Sequence, residues 1–274
     1  MYTIILSLVF GIGSAAALKL TDTSSSFWSI FLGLMVFLGI TISINLVLKK
    51  KIGEVMLGLQ MMLTEGQKSI QNRVNQFQSR PNGDPKRFMA EIEKKQHDLI
   101  LQAIEYTKNF ERFRNWTPLF GKQINTTRMQ FYYQLQDFAM VDKLLPKCFY
   151  MEQMTCAMRI ARMYKNEAPI SEIEKQFKKF SLRLRRGKSY LLYSLMAWIY
   201  VQKEMLDKAH ITLVEGCKVG SHDTMKRNLE RLANNRIREF SNAGLGDEWY
   251  ALFLETPKMQ VKRQQHPGKF GRPF

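Results

Sequence analysis

Charge is almost missing from the first 48 residues. Only Lys19 and Asp22 carry any there, although the 274-residue chain holds 41 basic and 24 acidic side chains and a formal charge of +17. Such a segment cannot be the ordinary solvated surface of a globular domain. Cysteine is scarce as well. Cys148, Cys156 and Cys217 are odd in number and form no C-x-x-C pair, which argues against a disulfide scaffold and for buried free thiols in a reducing compartment. His97, His210, His222 and His266 show no ligand spacing with those cysteines, so no zinc site is expected. A phosphate loop, a carboxylate pair and a serine–histidine arrangement are also missing from the pattern. The G-x-G-x-x-A of Gly11, Gly13 and Ala16 follows no strand and is not a dinucleotide loop. The chain therefore reads as a non-enzyme with no cofactor and with no catalytic or metal-binding residues.

What the first 48 residues do contain is two oily runs. Met1–Leu18 is just long enough to cross a bilayer, and Phe27–Leu48 crosses comfortably, since about 20 apolar residues suffice. The polar KLTDTSSS between them suits a tight connection between antiparallel helices. Residues 1–48 are accordingly read as two transmembrane helices. Gly11 and Ala15, with Gly13 and Ala17 offset, recur at four-residue spacing as a face for close helix packing. The competing reading of residues 1–18 is a signal peptide cleaved near Ser14–Ala17, against which stands the missing basic n-region. Lys49, Lys50 and Lys51 follow the second run directly. By the positive-inside rule they place everything after them on the cytoplasmic side, giving a multi-pass protein of a bacterial-type inner membrane.

Residues 49–120 form a helical connector. Val55, Met56, Leu59, Met62, Leu63, Ile70, Val74 and Phe77 recur at three- and four-residue intervals, so the second span is expected to continue as a long helix. Gly53, Gly58 and Gly66 weaken that helix; its stripe could lie on the membrane surface or pair as a short coiled coil, and packing on the body is the expected reading. RPNGDP (Arg80–Pro85) predicts a turn, and a second helix is expected from Pro85 to about Asn115, broken by WTPLFGK.

Residues 121–255 carry helical periodicity and a repeat. Met129 and Tyr132 are followed by Val141, Leu145 and Cys148; Ala161 and Tyr164 by Ile173, Phe177 and Phe180; Ala197 and Tyr200 by Ala209, Leu213 and Gly216. Each apolar residue nine after the tyrosine is followed by two more at four and three further positions, and the tyrosines recur close to the ~34-residue period of helix–turn–helix solenoids. Over about Gly121 to Ser221 this pattern resembles the tetratricopeptide repeat (TPR) family. In Ser194–Gly216 the resemblance places Ala197 at the small site of the first helix, Tyr200 at its aromatic and Ala209 at the helix crossing, with Leu213 replacing the usual aromatic and Gly216 the usual alanine. Helices at Thr224–Ser241 and Asp247–Leu254 would cap the array. One helical hairpin cannot bury its own apolar face, so stacked neighbours supply a core and leave a concave groove. Tyr132, Tyr164 and Tyr200 are then packing residues. The fold class expected is all-α: an N-terminal transmembrane helical hairpin followed by a TPR-like solenoid of helical hairpins. The resemblance implies binding of peptide segments of other proteins in the groove.

Acid is the missing element in one further place. KQFKKFSLRLRRGK holds Lys175, Lys178, Lys179, Arg183, Arg185, Arg186 and Lys188 without a single carboxylate, interleaved with Phe177, Phe180, Leu182 and Leu184. The apolar positions are expected to dock while the basic ones project, either as a solvated face or as a contact for anionic lipid or an acidic partner. Residues 256–274 form a basic tail too poor in apolar content for a core, with disorder as its default. The function expected is a membrane-anchored cytoplasmic scaffold that binds protein partners. A nucleic-acid tether using the basic body and tail is weaker, because no folded RNA-reading motif is present. An accessory role in envelope assembly or biosynthesis is a third reading.

Overall fold

The computed structural model describes residues 2–20, 26–80, 84–184, 188–220 and 222–257, and all regular structure among them is helical. The chain divides into two compact units, Met1–Phe149 and Tyr150–Phe274.

The first unit is organised by one long helix. α1 (Tyr2–Leu20) and α2 (Ser26–Ser79) pack along each other as antiparallel neighbours. α2 runs without interruption through Lys49–Lys51; its 54 residues extend about 80 Å at 1.5 Å per residue. α3 (Pro85–Tyr106) packs back along the second half of α2. The α3 start follows local chemistry: the Asp84 carboxylate accepts from the Lys86 backbone N–H at 3.0 Å, and Pro85 occupies the first turn where its missing N–H costs nothing. Phe77 and Phe88 stack face to face, 3.9 Å apart, at that end of the pair. Of the predicted turn there, Pro81, Asn82 and Gly83 lie outside the described residues.

The apolar stripe of α2 packs inside the unit, mainly on α3 and the segment that follows it and only in part on the start of the body expected to cover it. Leu48, Val55 and Leu59 join Ala103, Phe110, Phe113, Phe120, Ile124 and Phe131 in one core. Two glycines expected only to weaken α2 have a positive role. Gly58 receives the hydroxyl end of Tyr106, and Gly66 receives the side chain of Leu99, so a Cβ at either would collide with α3. The helix predicted to reach Asn115 ends earlier, at Tyr106, and tightens into a 3-10 segment over Thr107–Phe113. Thr107, Phe110 and Phe113 are its buried residues, one per three-residue turn. A three-residue period aligns those side chains on one edge, whereas 3.6 residues per turn would rotate them apart. α4 (Phe120–Gln134) and α5 (Phe138–Leu144) complete the unit.

The second unit is built around α8 (Tyr190–Gln202). Every residue from Leu191 to Tyr200 is buried, so this helix has no solvent face. α6 (Gln153–Lys165), α7 (Ile170–Ser181) and α9 (Leu206–Val219) pack against it, and α10 (Asp223–Ala233) packs on α9. Two predicted capping helices are shorter than expected. The one from Thr224 stops at Ala233 because Asn235 turns left-handed (φ 55°), and buried Asn228 then fastens the outgoing chain by donating to the Ser241 carbonyl and to Asn242 Oδ1. Asn242 in turn donates to the Ser194 carbonyl of α8 at 2.9 Å. The second, α11, is only Asp247–Tyr250. It opens on Gly246, whose φ of 63° with ψ of −138° is accessible essentially to glycine alone. After α11 the Glu255 carboxylate accepts from the indole N–H groups of Trp198 and Trp249, each at 2.8 Å.

Four helix ends share one turn. After α4, α6, α8 and α10 a non-glycine residue adopts the left-handed conformation: Gln136, Glu167, Glu204 and Asn235. In each, the next residue donates its N–H five residues back, from Asp137 to Tyr132, Ala168 to Met163, Met205 to Tyr200 and Arg236 to Arg231. This is the Schellman arrangement, which satisfies carbonyls left open at a helix end. Three of these turns lead into α5, α7 and α9, so three helix pairs occupy the places where the repeats were laid out. The turn after α6 is one residue longer, reaching its cap at Pro169. Counted from the turn, Met163 and not Tyr164 therefore corresponds to Tyr132 and Tyr200.

Candidate functional site

The hairpin of α1 and α2 is polar inside and oily outside. Along α1 the buried residues are Thr3, Ser7 and Gly11, one every four positions, and α2 answers with buried Ser29 and Gly33. Outward point Ile5, Val9, Phe10, Ile12, Phe27, Trp28 and Ile30, each more than half exposed. The contact is close: a Cβ on Gly33 would lie 2.7 Å from the Gly11 carbonyl oxygen and 2.8 Å from Ala15 Cβ. Gly13, expected in a parallel small-residue row, has open space around it and belongs to the outer surface. Small residues let two backbones approach, and Ser7 Oγ returns its proton to its own helix, at the Thr3 carbonyl 2.8 Å away. A soluble core helix would show the reverse pattern. Both helices are long and apolar enough to cross a membrane.

Lys49, Lys50 and Lys51 are exposed one after another on α2 where the oily surface ends. At that level the 3-10 segment and Trp116 come against the hairpin. The Tyr2 N–H donates to the Asn115 carbonyl at 3.0 Å, Thr3 Oγ1 donates to the Trp116 carbonyl at 2.6 Å, and the Tyr2 and Trp116 rings meet edge to face at 5.8 Å. Lys51, Arg112 and Trp116 line a shared pocket of about 530 Å³. In the sequence pattern Arg112 reads as part of a helix and Trp116 as its breaker. No local signal tied either to Lys51.

The basic strip of the second unit is only partly as expected. Lys175, Lys178 and Lys179 stand exposed on one face of α7, while Ile173 and Phe180 are buried on the other. Arg183 and Lys188 are exposed as well; Arg185 and Arg186 lie outside the described residues. Lys178 and Lys179 sit in the last turn of α7, where the helix dipole favours cations. Leu184 docks, at 9% exposure, but Leu182 does not: it is 80% exposed on the face of the lysines. Seven residues after Lys175, it falls almost above that lysine on the helix, which turns it away from the core.

The repeat residues divide in the same way. Ala197, Ala209 and Leu213 are fully buried and Tyr200 nearly so, with Ala197 and Leu213 in one cluster with Tyr193 and Met225. The Tyr200 hydroxyl donates to Glu174 at 2.9 Å, and Lys208 reaches the same carboxylate oxygen at 2.8 Å. Those two contacts, the lysine first, hold the Glu174 carboxyl below its ordinary range, while burial and the neighbouring carboxylate push the Tyr200 phenol upward. Tyr132 and Tyr164 are only half-buried, contrary to the expected core role. Tyr133 takes the core place beside Tyr132, and Tyr164 rests its ring edge on Trp198 at 5.3 Å.

Burial lifts the Cys156 thiol to about 12 and raises that of Cys217 above its usual value, so neither is activated as a nucleophile. Among the described residues no group of three or more histidine, cysteine, aspartate or glutamate side chains is placed to hold a metal ion. Residues 258–274 of the basic tail lie outside the described residues. No known family model matches the chain, and no curated protein or solved structure matches it either.

Proposed function

We propose that this protein is a membrane-anchored scaffold: α1 and α2 cross a bacterial-type inner membrane as a hairpin, and the helical pairs that follow hold protein partners on its cytoplasmic side. The observation that carries the reading is the inverted surface of the hairpin, with Thr3, Ser7, Gly11, Ser29 and Gly33 inside and isoleucine, phenylalanine and tryptophan outside. Water would penalise that surface, and hydrocarbon would not. Lys49–Lys51 at its end supply the cytoplasmic bias. Support for partner binding comes from the repeated helix pairs and from the TPR-like spacing of residues 121–221, with other proteins as the occupants of a groove between helices.

The experiment is two-part. A reporter fused after Phe274 should be active only in the cytoplasm, and activity on the opposite side overturns the orientation. Photocrosslinkers placed at exposed positions of the helix pairs should then recover a defined set of proteins that survives nuclease treatment. Recovery of RNA or DNA that nuclease and salt both abolish would replace the scaffold with a nucleic-acid tether working through the basic strip.

A further inference from the structure

The pocket at the end of the oily surface joins two kinds of lining that rarely meet by accident. Its inner end is made by Ile44 and Val47 of α2, within the apolar run, and its outer end by Lys51 and Arg112. Trp116 lines it as well. Neither cation has an ion-pair partner within 4.0 Å among the described residues. Glu54, three residues after Lys51, makes no bridge to it, and the nearby Glu111 is held by Arg114 and Arg128. The Arg112 guanidinium lies over the Phe113 ring, 4.7 Å from its centre, which fixes it on a hydrophobic support instead of a carboxylate. Two uncompensated cations are thus kept at the mouth of an apolar cleft.

Depth identifies the occupant. From Trp28 to Leu48 along α2 is about 30 Å, the thickness of a bilayer's hydrocarbon core. With Trp28 at one boundary, Ile44 lies one turn inside the other boundary and Lys51 just outside it. The cleft therefore runs from hydrocarbon into the headgroup layer, in the direction a lipid itself runs. Tyr2 and Trp116, edge to face at 5.8 Å, stand at that level, where amphipathic rings are favoured.

We propose that this cleft is a binding site for one anionic phospholipid of the cytoplasmic leaflet, its phosphodiester between Lys51 and Arg112 and the upper part of an acyl chain along Ile44 and Val47. The site rests on the membrane reading above. Its chemistry differs from that of the strip at Lys175–Lys188, because an apolar wall and two cations act on the same molecule. Binding would fasten the 3-10 segment to α2 and so set the direction in which α3 leaves the membrane surface.

The test uses the full chain, purified in a mild detergent and passed into nanodiscs of phosphatidylcholine with a minor fraction of phosphatidylglycerol. Native mass spectrometry should find phosphatidylglycerol retained in preference to phosphatidylcholine. Lys51→Gln with Arg112→Gln should reduce that preference about tenfold or more, while Lys86→Gln with Lys94→Gln, two exposed lysines of α3, should leave it intact. Equal retention of the two lipids, or equal loss in both double variants, overturns the site. Should the Lys51/Arg112 variant fail to fold, brominated lipids decide: tryptophan quenching by brominated phosphatidylglycerol should exceed that by brominated phosphatidylcholine, and the excess should vanish in Trp116→Phe. An excess that persists in Trp116→Phe, or no excess at all, refutes the proposal. Alkaline carbonate separates the two levels of the argument: release of the protein overturns the membrane reading and the site together, whereas retention without lipid preference overturns the site alone.

Discussion

Gly216 is the sharpest place to test the packing of the second unit. The TPR resemblance implies alanine there, and helix propensity alone favours that change by about 1 kcal/mol. The structure argues the opposite. A Cβ on Gly216 would lie 2.8 Å from Tyr193 Cβ and 2.9 Å from Tyr193 Cγ, and it would strike the Met225 Cε. Met225 can swing its methyl away. Tyr193 cannot, because the atoms concerned sit next to the backbone of fully buried α8. Ordinary carbon contacts start near 3.5 Å, so α8 and α9 must separate by roughly 0.6 Å. Overpacking of this kind costs about 1–3 kcal/mol, which exceeds the propensity gain and leaves Gly216→Ala destabilised by about 1 kcal/mol. Hydrogen exchange followed by mass spectrometry on the full chain should show about fivefold less protection in peptides covering Leu191–Tyr200. Gly53→Ala, at a position with nothing within 4 Å, should instead raise protection in its own stretch of α2. Unchanged or increased protection of α8 in Gly216→Ala would refute the close approach.

Three further outcomes are expected. Gly33→Val should separate α1 from α2, because its Cβ would stand 2.7 Å from a backbone oxygen that cannot turn aside; alkylation of a cysteine introduced at Ser7, which is fully buried between the helices, should rise sharply relative to the same cysteine on the wild-type background. In native protein at pH 8, Cys217 should be alkylated before Cys156, whose thiol titrates at about 12 and which should react only on denaturation. Glu174→Gln should cost at most about 1 kcal/mol, since the carboxylate is partly exposed. Its folded carboxyl is depressed, so the contribution is complete above the unfolded value of about 4.3 and disappears as pH falls through the folded one. Acid titration of Glu174→Gln should therefore lack the part of the wild-type stability loss that belongs to this group.

Several elements were readable from local pattern alone. The all-helical class, the continuation of α2 beyond the oily run, the start of α3 at Asp84–Pro85 and the partition of α7 into a buried and a basic face follow from periodicity, caps and charge. The misses have specific physical origins. The 3-10 segment is not legible in the sequence because the tightening that aligns Thr107, Phe110 and Phe113 is set by their burial against α2, which no local pattern announces. Left-handed turns at Gln136, Glu167 and Glu204 carry no glycine to announce them. Leu182 reads as a core position because it alternates with arginines, yet it lies on the helix face of Lys175. Tyr164 was aligned across a turn that is one residue longer than its counterparts.

Where charge is tolerated follows from composition along the chain: two runs nearly free of it, a lysine triplet after them and a basic body. Those are sums over neighbours along the chain, and hydration free energy depends on little else. Which surfaces meet is settled by the folded chain. That the hydroxyls and glycines of α1 face inward depends on the small residues of α2 opposite them. That Lys51, Arg112 and Trp116 share one cleft depends on the return path through α3 and the 3-10 segment. Periodicity reports that a helix has a face to bury; the partner for that face is chosen by shape and by the route the chain takes back to it.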